Sequence, residues 1–300
     1  MSRLAFLAQR AFNTPLAIHP RKAEIIVAAL MERLGVASMV RFDGQAVMPV
    51  PLAFDGDDDL WTSPVGLAGG RGDKGYDLLG DVALIPVTGT LVQKTGNIRP
   101  YSGMTGYDGI RAAVAQALDD PSVAKLALNI DSPGGEVAGC FDLVDDLWRA
   151  RGNKPIWAIL DEVACSAAYA VASPADRVIV PRTGMTGSIA VICMHVDFSR
   201  ALDAGGLKVT FITSEGGDRK TDGHPEIPLS DAAYAAIKEQ IDDMGDLFVD
   251  TVARNRGLKP SKVRGLQAGT FLGARGVDVG LADAVMAPAE AFRALVNQRA

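Results

Sequence analysis

An α/β domain with a largely parallel core sheet is the fold this sequence predicts, and three observations lead there. From residue 81 onward, short apolar runs alternate with segments whose apolar residues recur at helical spacing. The runs are predominantly apolar and bounded by polar or glycine residues, as in strands buried within a sheet. Glycine-rich turns such as Asp131-Ser132-Pro133-Gly134-Gly135 follow the runs, at the carboxyl ends of strands where such folds place their sites. Alternating strands and helices imply parallel pairing through right-handed crossovers. The chain has 300 residues, 48% hydrophobic and 22% charged, which suits one large domain or a domain with an appendage.

The elements follow in order. Asp81 to Val87 is a first buried strand, and Gly89 to Gly106 a turn-rich loop. Ile110, Val114 and Leu118 mark a helix over Tyr107 to Leu118. Val123 to Ile130 is a second strand, ending at the glycine turn. A helix over Gly135 to Arg151 presents Val137, Phe141, Val144 and either Leu147 or Trp148 on one face. Pro155 to Leu160 is a third strand, after which Ser166 opens an alanine-rich helix ending at Ser173-Pro174. Further strands are expected at Arg177 to Val180, Ser188 to Met194 and Leu207 to Thr213. Ser230, with Asp231 in the first turn, caps a long helix to Arg256, ended by Gly257 and Pro260. Pro288 to Ala300 is a last polar helix.

Residues 1–80 read as an N-terminal appendage and linker, and residues 81–300 as the main domain. The appendage carries a helix over Ala23 to Leu34, then a stretch rich in Gly, Pro and Asp. Asp55, Asp57, Asp58 and Asp59 read there as a solvated loop, since no glutamate closes a calcium-loop pattern. The net charge of −6 argues against nucleic acid as a partner. Three cysteines without metal-ligand spacing read as reduced, packed thiols, and no metal or cofactor is implied. The opening apolar run is too short for a secretory signal, and no stretch suits a membrane span, so a soluble cytoplasmic protein without membrane association is expected.

The chemistry centres on Ser166 and Lys220. Ser166 follows a strand and is flanked by Ala164, Ala167 and Ala168, so a substrate has room to approach its hydroxyl. By itself such a serine reads more readily as a helix N-cap. Asp131 to Gly135 reads either as an ordinary turn or as a turn aiming backbone N–H groups at developing negative charge. Its spacing fits neither the P-loop nor the dinucleotide fingerprint. A serine nucleophile needs a base. His19, His195 and His224 carry no recognisable partner pattern. A lysine serves when its surroundings favour the neutral amine, and Lys220 lies in a glycine- and proline-bounded loop, where by itself it reads more readily as a surface lysine.

Residues 81 to 287 resemble the signal peptide peptidase A (S49) family of serine proteases, which share the fold of the Clp protease and crotonases. The resemblance rests on pieces in the family's order. They are a first strand ending near Gly89, Ser132-Pro133-Gly134-Gly135, the Ser166 helix, Thr186-Gly187-Ser188-Ile189, Gly217-Asp218-Arg219-Lys220, and Gly276 to Asp283. Ala190 departs from the glycine usual in the family. The resemblance implies a Ser/Lys dyad acting through an acyl-enzyme: Ser166 is the nucleophile and Lys220 its base. The N–H groups of Gly135 and Ala167 form the oxyanion hole, and Ser188 orients the lysine. Acylation needs the neutral amine, so activity is expected to rise with pH.

The leader around Pro20-Arg21-Lys22-Ala23-Glu24, in place of a membrane anchor, resembles the bacteriophage head maturation or capsid assembly branch. That branch implies scaffold, capsid or portal proteins as substrates, a homo-oligomer, and action in host cytoplasm within the prohead. Any scaffold is then expected to be a separate protein. The rival readings are a cytosolic peptidase of the same family, a crotonase-like acyl-CoA enzyme, and a non-catalytic scaffold-binding protein.

Overall fold

The computed structural model describes residues 14–19, 74–101 and 103–298, together with the backbone pairing of two short strands in the leader. The helix expected over 23–34 and the aspartates at 55–59 lie outside the described residues. The strands are β1 (Leu16–Ile18), the antiparallel pair β2 (Met39–Val40) and β3 (Ala46–Val47), β4 (Asp77–Leu79), β5 (Val82–Val92) and β6 (Met104–Gly106). Then come α1 (Tyr107–Asp119), β7 (Lys125–Glu136), α2 (Cys140–Ala150), β8 (Ile156–Cys165), α3 (Ala167–Ala172), β9 (Arg177–Val180) and β10 (Met185–Gly187). The remainder is α4 (Ser199–Ala204), α5 (Asp231–Arg256), α6 (Pro260–Gly265), β11 (Thr270–Leu272), α7 (Ala274–Asp278), β12 (Ala284–Val285) and α8 (Pro288–Asn297).

The main sheet runs β11-β10-β8-β7-β5-β4. Its centre is parallel: β5 with β7, β7 with β8, and β8 with both β9 and β10. Antiparallel strands β4, β11 and β1 are added around it. Residues 14–19 and 77–79, read from sequence as appendage, are thus strands of this sheet or flank them. The fold is α/β with a mostly parallel sheet, as the sequence predicts.

Alternation in the strands explains the two-sided burial. Leu126, Leu128 and Ile130 of β7 and Ile156, Ala158 and Leu160 of β8 join one core, against helices α1, α2, α3 and α5. Ala127, Trp157 and Ile159 point the other way, against Ala291, Phe292 and Leu295 of α8. Leu126 to Leu128 of β7 and Ile156 to Leu160 of β8 are buried on both faces, which is why those stretches are apolar. Ser230 accepts a hydrogen bond from the Ala233 N–H at 3.1 Å, satisfying one free donor of α5. Ser230→Ala is expected to cost about 1 kcal/mol, read from the urea midpoint.

The central strands shift register at one level, between Thr88 and Thr90 of β5 and between Ile130 and Ser132 of β7. There they exchange neighbours: β8 pairs with β9 through residues 157–159 and with β10 through 163–165. Beyond this level lies the strand end that carries the candidate site.

Three expectations are corrected. The glycine turn at 131–135 does not open a helix. β7 continues through it to Glu136, and α2 starts at Cys140. Gly135 has no side chain to keep it from β5, so the backbone stays in the sheet. Residues 188–194 form no strand, because the chain turns out of the sheet at Ser188, where φ is +55°. Residues 207–213 also form none. Leu207, Val209 and Ile212 are exposed, and among the described residues no strand pairs with this segment.

Candidate active site

Ser166 stands between the end of β8 and the start of α3, with φ +57° and ψ −123°. That conformation costs a non-glycine residue roughly 1–3 kcal/mol and persists only where the surroundings impose it. Here they do. The Ser166 N–H donates to Gly187 O at 2.8 Å, and its carbonyl accepts from the Ala170 N–H at 2.9 Å. Every residue of α3 is buried. The buried Tyr169 hydroxyl donates to Leu281 O at 2.8 Å. Asn255 Nδ2 donates to the Ser173 hydroxyl at 2.9 Å, which donates to Ala170 O at 2.8 Å. The turn is clamped from three sides, yet the Ser166 hydroxyl is only 1% exposed and has no hydrogen-bond partner among the described residues.

The glycine strand lies beside this turn. Gly134 has φ +102°, and a methyl group there would lie 2.9 Å from Cys165 O and 3.0 Å from the Ala167 nitrogen. Glycine is therefore required both by conformation and by space. Ser132 fixes the strand: its hydroxyl donates to Gly89 O at 2.6 Å and accepts from the Gly134 N–H at 3.2 Å. Glu136 holds the far end, its carboxylate accepting from the Gln93 N–H at 2.7 Å and its carbonyl from Tyr107 Oη at 2.7 Å.

Gly134 thus lies beside Cys165 and Ala167, the two residues that flank Ser166. Ser188 is buried one residue beyond the Gly187 carbonyl that accepts from Ser166, and its own N–H donates to Gly269 O at 2.9 Å. Lys220 is not brought into hydrogen-bonding contact with Ser166. It sits exposed on a single 3-10 turn, Asp218–Thr221. Tyr169, Asn255 and Glu136 were not legible as positioning residues, since each works through a partner distant in sequence.

The sequence model of peptidase family S49 matches residues 149–300, just over half of the chain. The chain belongs to peptidase family S49. The matched span holds Ser166, Ser188 and Lys220, whereas the glycine strand lies upstream of it.

Among related proteins, Capsid assembly protease C of Escherichia phage lambda is 36% identical over 97% of the chain and 65% of its own length. Head-tail preconnector protein GP5 of Enterobacteria phage P21 is 37% identical over 98% of the chain and 57% of its own length. The chain therefore spans about two thirds or less of these relatives. Protease 4 of Haemophilus influenzae is 26% identical over 75% of the chain and 36% of its own length. Among solved structures, a ClpP1 mutant from Listeria monocytogenes superposes with a TM-score of 0.42 at 9% identity, covering 68% of the chain and 90% of its own. Among the described residues, no helix is long and apolar enough to cross a membrane.

Cys165 adjoins Ser166, but burial pushes its thiol up to about 12. It stays protonated near neutral pH and is a poor nucleophile. Burial does the same to Cys140, also to about 12, while Cys193 is only half-buried. Iodoacetamide is expected to label Cys193 first in the folded S49 protein, and Cys140 and Cys165 only after unfolding. Intact mass before and after denaturation checks this.

Proposed function

We propose that this chain is a serine endopeptidase in which Ser166 is the nucleophile and Lys220 the general base. The reading is carried by the Ser166 turn: a strained, clamped backbone that presents an unpartnered hydroxyl beside Gly134-Gly135. A backbone is held in such a conformation where the position of one side chain matters.

In the proposed reaction Ser166 Oγ attacks the scissile carbonyl carbon while the neutral Lys220 amine takes the hydroxyl proton. The carbonyl oxygen becomes an oxyanion facing the N–H groups of Gly135 and Ala167. The lysine then gives its proton to the leaving amine, the C–N bond breaks, and an ester to Ser166 remains. Water, deprotonated by the same lysine, hydrolyses the ester. Ser188 acts as a positioning residue for the amine.

For this chemistry Lys220 must reach Ser166, so the segment that carries it has to close. That segment leaves Leu207, Val209 and Ile212 exposed, the last by 94%, and Tyr234 on α5 is exposed beside it in sequence. Exposed apolar side chains such as these favour burial against another copy. We therefore assign a homo-oligomer in which this segment is covered and Lys220 is carried up to a Ser166 hydroxyl. The relatives named for capsid assembly and for the head-tail preconnector favour phage head proteins as substrates and the host cytoplasm as the setting.

The test is co-expression of wild type, Ser166→Ala and Lys220→Ala with the neighbouring capsid or scaffold protein, with fragments read by intact mass. Cleavage by wild type alone supports the dyad. Cleavage by Ser166→Ala at the wild-type rate removes the nucleophile assignment.

A further inference from the structure

β1 pairs with one strand of the sheet, β7, and on its other side Leu16 bridges to Ile192. It is inserted in a slot between the end of β7 and the segment that follows Ser188. On one side it runs antiparallel to β7, with Leu16 opposite Glu136, Ala17 opposite Gly135 and Ile18 opposite Gly134. The His19 N–H donates to Pro133 O at 2.9 Å, and the Val137 N–H donates to Pro15 O at 3.3 Å. In an antiparallel ladder hydrogen-bonded pairs recur at every second residue, so Ala17 and Gly135 form the bonded pair between those two. On the other side Leu16 exchanges both its backbone bonds with Ile192, N–H to O at 2.8 Å and O to N–H at 2.9 Å. All three β1 residues are buried.

The slot leads to Ser166. A methyl group at Gly134 would lie 2.3 Å from Ala17 O, 2.9 Å from Cys165 O and 3.0 Å from the Ala167 nitrogen. The Ala17 carbonyl therefore shares one small space with the backbone of the nucleophile turn and with Gly135. An extended segment, paired on both sides and placing a carbonyl there, lies as a peptide added as a strand would lie.

Resting on the proposed peptidase reading, we infer that residues 14–19 fill the substrate-binding slot of Ser166 from within the chain. The slot takes an extended peptide with a small residue at the Ala17 position and large aliphatic residues on either side. While the segment is seated, substrate proteins compete with an occupant of the same chain, whose effective concentration is high. Their apparent affinity is reduced by the fraction of molecules in which the slot is open.

Two full-length variants open the slot by different means. Leu16→Pro removes the N–H that bonds Ile192 O, and Leu16→Asp/Ile18→Asp places charges at buried positions. Hydrolysis of unfolded casein is expected to rise at least about tenfold in both. The synthetic peptide Thr-Pro-Leu-Ala-Ile-His, the sequence of residues 14–19, is expected to inhibit the opened variants. A second readout needs no catalysis. In a Ser166→Ala background, amide exchange at Val137 and Ile192 is expected to be slow, fast once the slot is opened, and slow again with the peptide added. Slow exchange at residues 125–130 in each variant certifies the fold.

Opened variants that hydrolyse no faster, although Val137 and Ile192 exchange freely, overturn the inference and leave the peptidase reading standing. If nothing hydrolyses casein, the peptidase reading fails, and exchange still decides occupancy. Fast exchange at Val137 and Ile192 in the unopened protein overturns it, whereas protection restored by the peptide upholds it.

Discussion

Ser166→Ala is expected to lower proteolysis by roughly four orders of magnitude or more while making the protein more stable. The loss of activity follows from removal of the attacking oxygen. The gain in stability follows from the hydroxyl being buried without a partner among the described residues. Burying an unsatisfied polar group costs about 1–3 kcal/mol, which alanine avoids. Ser166→Gly is expected to gain more, since glycine also tolerates φ +57° without strain. Initial rates on casein and urea midpoints for the three proteins check both signs. Activity and stability moving in opposite directions separates this reading from that of a helix-capping serine, whose loss destabilises.

The second large effect is on the fold. Gly135→Ala would place its methyl 1.8 Å from Leu91 O and 2.5 Å from Leu91 C, both backbone atoms of β5. No rotamer change relieves that contact. The strands must part where β5, β7 and β1 meet, and the expected loss is about 3–5 kcal/mol, the range reached when a core is overpacked or broken. Thermal unfolding and soluble yield measure it. A variant as stable as wild type would mean that the approach of β5 to β7 is looser than 1.8 Å implies.

Gly135 also shows where sequence reasoning stops. The pattern Ser-Pro-Gly-Gly marks a backbone that must be approached closely, and a turn into a helix N-terminus satisfies that pattern as well as a strand does. What approaches Gly135 is Leu91, a residue on another strand, and a single sequence does not show that pairing. The central strands were legible as apolar runs, α1 and α2 as apolar residues at helical spacing, and α5 by its serine cap and the glycine and proline that end it. The segment Leu207–Thr213 has the composition of a strand, but a strand exists only with a partner, and none adjoins it among the described residues. β1 was illegible for the opposite reason. Three apolar residues in a leader carry no period, and their place in the sheet is set by backbone groups of β7 and Ile192.

Of the candidate site, Ser166 by itself read as a helix N-cap and stood out through the family resemblance, and the structure adds its strain and a hydroxyl without a partner among the described residues. Lys220 was legible only through the family resemblance. Its exposed 3-10 turn makes the base the part of the account that depends most on assembly. Light scattering as a function of concentration, run beside the casein assay, is expected to show activity rising with the assembled fraction.

The most direct measurement is capture of the acyl-enzyme. The full-length protein is mixed with an activated ester of a short aliphatic peptide, quenched in acid and digested, and the fragments are weighed. An acyl mass increment is expected on the fragment containing Ser166, absent from Ser166→Ala and from Lys220→Ala. An increment of equal size in Ser166→Ala, or one carried by any other residue, would contradict it.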